Sequence, residues 1–443
     1  MYKKITLIVV LSVALGAFLV LRPYIFRKEA PPRIEDRLPE ADFIGRAYLL
    51  DVARETGGML YYHKVPLRDF FSYEFILGQS KTYGLNLQKP AYFFANETGD
   101  WGAVIEVSDS SKILQGIERM RKYMDVVDSV LNEKKVYYLP DQSGFLFYDR
   151  SYMLVYKGND FKKIHKRVTD CKNGDISPVW KSFLREKHFR DEKLVIYSNW
   201  KQLKENGVET ALFAHDSDSI SFSLKAYIRN KEPLNVAMKD AGQSFASEDK
   251  ASKMLNMHLD VSRLKDHPED PIYKLLVKLG RKISFPTAEF LSVWNGDLSF
   301  RQGGFQTVIE TYVESELDEN FNVTEVEKEK EVKVPGFSLM FSVNEKGPYF
   351  IQRLQNKGIL TKDENDNLRF LFSPPLQMKQ MKNYFIFHSG QYTPKQELSN
   401  ENNGIWTQRG TRVEFSLDSL SKHEVFGTIY IPVERIISRN RFF

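Results

Sequence analysis

Val136-Tyr137-Tyr138-Leu139, Phe145-Leu146-Phe147-Tyr148 and Met153-Leu154-Val155-Tyr156 decide the fold class. Each run is short, apolar and rich in the aromatic and branched residues that suit a pleated surface. Turn formers separate them at Pro140-Asp141-Gln142 and Asp149-Arg150. The three runs read as a meander of antiparallel strands. Just upstream, Ile113, Leu114, Ile117, Met120, Met124 and Val127 recur at helical spacing, with Ser110 or Ser111 placed to cap that helix. Ala91–Ala95 and Trp101–Val107 read as a hairpin around Asn96-Glu97-Thr98-Gly99-Asp100. Phe43–Asp51 reads as a strand running on into Val52-Ala53-Arg54. Pro66 starts a helix to about Leu77 through Leu67, Phe70, Phe71 and Phe75. Strand, helix, hairpin, helix and meander in that order predict an α+β fold with mainly antiparallel sheets and packed helices.

The remainder continues in this style. Ser177 caps a helix with Pro178 at its first position, Leu194–Tyr197 is a strand, and Asn199 caps a short helix through Leu203. Ile220, Phe222, Leu224, Ala226 and Ile228 alternate along a half-buried strand. Lys239–Lys250 is polar and reads as a domain boundary. Pro286–Trp294 reads as a helix, and Asn295-Gly296-Asp297 turns it into a hairpin of Leu298–Arg301 and Phe305–Val313, joined at Gln302-Gly303-Gly304. Glu325–Lys333 alternates in charge, as a solvated linker or a charged edge strand would, and marks a seam near 325–335. Leu50-Asp51-Val52-Ala53-Arg54 is echoed by Leu259-Asp260-Val261-Ser262-Arg263, each read as a strand ending in an Asp that caps the next helix or turn. Two readings stay open: duplication into two related halves, or two independent strand-to-cap transitions. The expected organisation is a membrane anchor over 1–28, a stalk over 29–37, a first α+β half over 38–250 and a second over 251–443.

The anchor rests on the apolar run Ile5–Leu21, broken only by the hydroxyls of Thr6 and Ser12 and flanked by Lys3, Lys4, Arg22, Arg27 and Lys28. Seventeen residues at about 1.5 Å each reach the lower limit for a transmembrane helix. Tyr24 and Phe26 suit the headgroup zone. A cleavage site at Ala14-Leu15-Gly16 would leave Ala17–Leu21 as an apolar stub, so a retained signal anchor is the reading taken. Lys3 and Lys4 favour a cytoplasmic N-terminus, although Arg22, Arg27, Lys28, Arg33 and Arg37 oppose it. A head of a few residues rarely crosses first. These features imply a single-pass inner-membrane protein with its bulk periplasmic or extracytoplasmic, and membrane lipid as the partner of the anchor.

The chain has 443 residues, 42% hydrophobic and 13% aromatic, with a formal charge of +5. Residues 1–37 hold seven Lys/Arg and three Asp/Glu; removing them from the totals of 63 and 58 leaves 56 and 55, a net +1. No basic surplus remains for nucleic acid. Cys171 is the single cysteine, in the polar stretch Thr169–Gly174, which excludes an intramolecular disulfide and Cys-based zinc sites. Phosphate cradles, dinucleotide fingerprints, nucleophile elbows and zinc-protease helices are missing from the sequence. His63, His165, His188, His215, His258, His267, His388 and His423 are scattered and read as surface or strand-face residues. His215-Asp216-Ser217-Asp218 and Asp363-Glu364-Asn365-Asp366-Asn367 read as polar turns. The second has calcium-loop alternation, but Leu368 and Pro374 stand where the loop needs Gly and Glu. No catalytic, cofactor-binding or metal residue is assigned, and no cofactor is expected. The adjacent pairs Tyr61-Tyr62, Phe70-Phe71, Phe93-Phe94, Tyr137-Tyr138 and Phe442-Phe443 face opposite sides of any strand they occupy. That pattern favours strands lying between two packed layers over strands that offer one exposed ring to a partner, lipid or small ligand.

The phrase Leu38-Pro39-Glu40-Ala41-Asp42 leading to Leu50-Asp51-Val52, and Phe290-Leu291-Ser292-Val293-Trp294-Asn295-Gly296-Asp297-Leu298-Ser299-Phe300, resemble uncharacterised bacterial exported families with one N-terminal membrane segment and a large α+β ectodomain. The resemblance implies location and architecture and carries over no active site. The functional expectation is a noncatalytic, membrane-anchored binding or scaffold protein of the cell envelope with an envelope protein partner. Its rivals are an envelope hydrolase built from dispersed residues and a carrier of a hydrophobic ligand. A His–carboxylate pair in a cleft would favour the hydrolase, and a contiguous apolar cavity would favour the carrier.

Overall fold

A computed structural model describes residues 31–62, 82–216, 222–246, 251–317, 323–363, 367–370, 373–408 and 411–431. Among these residues no helix is long and apolar enough to cross a membrane. The run Ile5–Leu21, the helix expected at 66–77 and the pair Phe442-Phe443 lie outside them.

In chain order the elements begin with helix α1 (Ile34–Arg37), strand β1 (Phe43–Ala47) and helix α2 (Leu49–Tyr62). Strands β2 (Ala91–Ala95) and β3 (Trp101–Glu106) precede helix α3 (Ser110–Met120). The meander comes next as β4 (Val127–Leu131), β5 (Lys134–Leu139), β6 (Gly144–Tyr148) and β7 (Tyr152–Lys157), then helices α4 (Phe161–Thr169) and α5 (Pro178–Arg185). After these come β8 (Leu194–Ser198), α6 (Lys201–Glu205), β9 (Val208–His215), β10 (Phe222–Asn230), β11 (Ala237–Met238), β12 (Gly242–Phe245) and β13 (Lys253–Asp260). Helices α7 (Pro271–Lys282) and α8 (Thr287–Val293) lead into the long strands β14 (Trp294–Leu317) and β15 (Val323–Val343). Helix α9 (Gly347–Asn356) precedes β16 (Leu360–Lys362), β17 (Leu368–Phe370), β18 (Gln377–Met381) and β19 (Tyr384–His388). The last strands are β20 (Gln396–Ser399), β21 (Asn403–Gln408), β22 (Thr411–Leu420) and β23 (Glu424–Ile431). Antiparallel sheet with packed helices makes this an α+β protein.

The chain divides into two compact units. One holds the described residues up to Ala41, Tyr83–Asn86 and Tyr92–Arg185; the other holds the rest, so residues on both sides of position 250 share a unit. In the first, antiparallel pairing runs β2-β3-β7-β6-β5-β4. Alternation places Tyr137, Leu146 and Met153 against Ile113 and Ile117 of α3. It turns Phe145 and Phe147 the other way, onto Phe161 and His165 of α4, with ring centroids 4.3 and 4.6 Å apart. Tyr137-Tyr138 therefore packs on both sides: Tyr137 stacks on Tyr148, and Tyr138 packs at a tilt against Phe145. α3 is capped by Asp109, whose carboxylate accepts the Ser111 N–H at 3.0 Å, instead of by Ser110 or Ser111. The helix stops at Met120, and Arg121 reaches forward to donate to the Val126 carbonyl (2.8 Å) and fastens a turn before β4. α4 has no counterpart in the sequence reading, although Phe161, Ile164, His165 and Val168 give it a buried helical face. α1 lies within the stretch read as stalk; Arg37 is buried there and donates to the Val168 carbonyl at 2.9 Å.

The second unit is one antiparallel path, β1-β8-β9-β10-β23-β22-β21-β13-β14-β15-β19-β18. Met257, Leu298, Phe341, Phe385 and Phe387 pack with α7, α8 and α9, through residues such as Leu276, Leu291 and Phe350. The opposite face bears Asn256, His258, Asp297, Ser299 and Ser342 and meets β12, which pairs with β20 as a separate two-stranded sheet. The polar stretch Lys239–Lys250, read as a boundary, thus contains a strand that covers the main sheet.

Two further expectations change. The phrase Leu50–Arg54 is helical, because the N–H groups of Asp51 and Val52 bond to the Tyr48 carbonyl and open α2. Leu259-Asp260 instead stays extended, held by β11 through Met238↔Leu259 and Ala237↔Asp260. Tertiary pairing overrides local preference, and the repeated phrase gives no structural support for two related halves. Gln302-Gly303-Gly304 is not a turn. Gly303 (φ +118°) and Gly304 (φ +69°) form a bulge inside β14, where the register with β15 shifts.

Candidate functional site

The covered face of the second unit holds the densest polar chemistry among the described residues. Ser244 of β12, His258 of β13 and Asp297 of β14 lie in hydrogen-bonding order. Ser244 Oγ is 2.9 Å from His258 Nε2, and His258 Nδ1 is 3.2 Å from Asp297 Oδ1. Asp297 Oδ2 also accepts from the Tyr384 hydroxyl (3.0 Å) and pairs with Lys239 Nζ (3.1 Å). Burial opposes the Asp297 charge, but His258, Lys239 and Tyr384 outweigh it and hold the carboxyl below its usual range. Tyr384 is pushed up to about 12 by burial and then by the neighbouring carboxylate.

The sequence sets this arrangement through alternation. Asn256 and His258, Asp297 and Ser299, and Ser338 and Ser342 point to one face, while Met257, Leu298, Leu339 and Phe341 point to the other. β12 reaches that face because residue 242 is glycine: a Cβ there would collide with the His258 ring and the Asp297 carboxylate. None of Ser244, His258 or Asp297 stood out in the sequence as a site residue. The available signal was polar residues at alternate positions of strands whose other positions are Leu, Phe and Met, which demands a covering layer.

The order Ser–His–Asp is that of an acyl-transfer relay. Such a relay needs an open serine and a free backbone N–H beside it to bind the oxyanion. Ser244 is 1% exposed, and the Phe245 N–H is already committed to Ser299 Oγ at 3.1 Å. Ser299 in turn donates to Asn256, and the His258 N–H to Asn402 (2.6 Å). In this geometry the network cross-links the two-stranded sheet to the main sheet.

The other sequence candidates lie apart. His215 is buried beside Phe222, with Glu55 3.5 Å from Nδ1, and Asp216 pairs with Lys225; Ser217 and Asp218 lie outside the described residues. Asp363 accepts the Asn367 N–H at 2.9 Å; Glu364, Asn365 and Asp366 lie outside the described residues. Cys171 is half-buried, and burial raises its thiol pKa, the opposite of an activated nucleophile. Among the described residues no three His, Cys, Asp or Glu side chains converge on one point. An open groove of about 510 Å³ mixes Met254, Ile405 and Tyr430 with Glu401, Glu414 and Asp418.

β14 and β15 together form an arm whose outer part is exposed. β14 pairs with β13 only over Asp297–Gln302, and β15 pairs with β19 over Ser338–Ser342. Ser389 and Gln391 brace the base at Pro335 and Thr307. Beyond them, Val308–Leu317 pairs residue by residue with Val323–Val332. Ten pairs at about 3.3 Å make a ribbon roughly 30 Å long. Glu325, Glu327, Glu329 and Glu331 share one face and oppose Ser315, Val313, Thr311 and Ile309. On the other face Lys328 pairs with Glu314 (2.7 Å) and Glu316. Of the linker and the charged strand expected for Glu325–Lys333, the chain adopts the charged strand.

No protein-family model matches the chain, and no curated protein does. Solved structures similar to it include TP0453 in its crystal forms IV, III and I, each 7% identical and covering 46% of this chain and 81% of that one. Their TM-scores are 0.31, 0.31 and 0.30, a likeness that carries no argument about function.

Proposed function

We propose that the protein is a noncatalytic binding or scaffold protein of the cell envelope, anchored by its N-terminal segment, with the β14–β15 arm as its docking element. The arm carries the reading. It is a two-stranded ribbon with exposed Tyr312, Val313, Val323 and Val326, and beyond its braced base no other described strand pairs with its edges. Isolated two-stranded ribbons are marginal in water, and exposed strand edges pair readily with other chains. A partner that adds a strand or covers a face would stabilise the arm. The extracytoplasmic location and the envelope partner rest on the N-terminal apolar run and the balanced charge of the rest of the chain.

The test is site-specific photocrosslinking of the full chain in intact membranes. A crosslinker at Val313 should capture an envelope protein, and one at exposed Lys122 should not. Replacing Val308–Val332 by Asn-Gly should abolish capture from a crosslinker placed at Phe305 while leaving a cooperative unfolding transition. Equal capture at Val313 and Lys122 would sink the reading. The relay order of Ser244, His258 and Asp297 motivates one second reading, an envelope hydrolase opened by movement of β12. Covalent labelling of the native protein by a fluorophosphonate, lost in Ser244→Ala, would establish it.

A further inference from the structure

We propose that the outer face of α7 is a docking surface for the anionic headgroup layer of a lipid bilayer. Asp270 caps this helix, its Oδ1 accepting the Ile272 N–H at 2.7 Å, and Pro271 occupies the first turn. Ile272, Tyr273 and Leu276 turn inward and pack on the core of the second unit. Leu275, Leu279 and Ile283 stand four residues apart, on the outward side, and are 46%, 50% and 49% exposed. They form an apolar ridge about 12 Å long. Lys274, Lys278, Arg281 and Lys282 flank it, all exposed.

Every charged side chain from 271 to 282 is cationic. The acids next to the helix in sequence lie at its N-terminal end: Asp270 is buried and bonded to Asn235, and Glu269 is held by His267 at 2.7 Å and attracts Lys274, which leaves Lys278, Arg281 and Lys282 to charge the ridge. Arg281 and Lys282 also suit the negative end of the helix dipole, but Lys274 and Lys278 sit outside the last turn and gain little from it. The combination selects lipid over protein. Protein interfaces are depleted of lysine at their centres, whereas a ridge of leucines edged by lysines is the pattern of helices lying in a membrane surface. The ridge is convex, so it offers no pocket for a specific side chain, and its charge complements anionic phospholipid.

The test reconstitutes the full chain in phosphatidylcholine vesicles with or without phosphatidylglycerol, using Cys171→Ser as the background. An environment-sensitive fluorophore is attached through Leu279→Cys, and in a separate sample through Tyr312→Cys on the arm. Iodide should quench the label at 312 in both vesicle types. The label at 279 should be shielded only where phosphatidylglycerol is present. Lys278→Gln and Lys282→Gln should each reduce the shielded population about fivefold, and high salt should release it without any substitution. Equal quenching at 279 in both vesicle types overturns the proposal. So does shielding that ignores lipid charge and grows with protein density, which would mean that a second copy covers the ridge.

Discussion

The same two strands, β14 and β15, behave oppositely along their length. Near Asp297–Arg301 and Ser338–Ser342 they are polar yet buried, flanked by β13 and β19 and covered by β12. From Val308 and Val332 outward they mix Val, Ile and Tyr with Glu and Lys, and even the apolar Tyr312, Val313, Val323 and Val326 are exposed. Side-chain polarity alone would neither bury Asp297, Ser299, Ser338 and Ser342 nor expose Tyr312 and Val313. Burial here is decided by whether neighbouring strands and a covering layer exist. A polar stretch can be buried when most of its groups find hydrogen-bond partners. The valines and tyrosine of the ribbon stay exposed because no described residue is built to cover them.

The buried stretch gives the largest expected effect. Asp297→Asn removes the charge that His258, Lys239 and Tyr384 converge on, and should cost about 3 kcal/mol in urea unfolding. Ser244→Ala should cost about 1 kcal/mol, and Thr311→Ala on the arm should stay within about 0.5 kcal/mol. The sign of the pH effect comes from the lowered Asp297 pKa. Its stabilising share is complete above the ordinary aspartate value of about 3.9 and is lost as pH falls through the lower folded value. Asp297→Asn should therefore flatten the acid limb of the stability curve below about pH 4. If Asp297→Asn and Thr311→Ala cost the same, the contrast between the two stretches fails.

The joint between them gives a smaller effect. Gly303, at φ +118°, turns β14 out of the covered sheet, and a Cβ there would lie 2.6 Å from the Ser252 nitrogen. Gly303→Ala should cost about 2 kcal/mol. Its amide-exchange signature should be faster opening of Phe305–Thr307 than in the native chain. A neutral Gly303→Ala would show that the bulge is set elsewhere.

Much of the fold was legible because its signals are local. The β2–β3 hairpin, the β5–β6–β7 meander and the helix opened by Ser177-Pro178 lie where turn residues and alternation put them. The candidate sites were less legible because their signals are not local. Ser244, His258 and Asp297 meet across 14 and 39 residues of sequence, on three strands brought together only by the sheet. Gly303-Gly304 resembles a turn at short range and becomes a bulge because β15 continues beside it. The cationic ridge of α7 has no counterpart in the sequence reading, and its outward direction depends on Leu276 and Tyr273 having found the core.

The smallest effects separate two aspartates that share a sequence phrase. Both were expected to cap a helix or turn at the end of a strand. Asp260 does so: its carboxylate accepts the Ser262 N–H at 3.0 Å, and that bond leads the causes that lower its pKa. Asp260→Ala should cost about 1 kcal/mol, and Asp260→Asn less, since an amide oxygen also accepts. Asp51 lies inside the first turn of α2 and pairs with exposed Arg54 at 3.4 Å. An exposed pair at that spacing contributes about 0.3 kcal/mol, so Asp51→Ala and Asp51→Asn should be alike and close to neutral. Thermal unfolding of the four variants distinguishes the cases. A large loss in Asp51→Ala rescued by Asp51→Asn would restore the cap at position 51, and with it the structural equivalence of the two phrases.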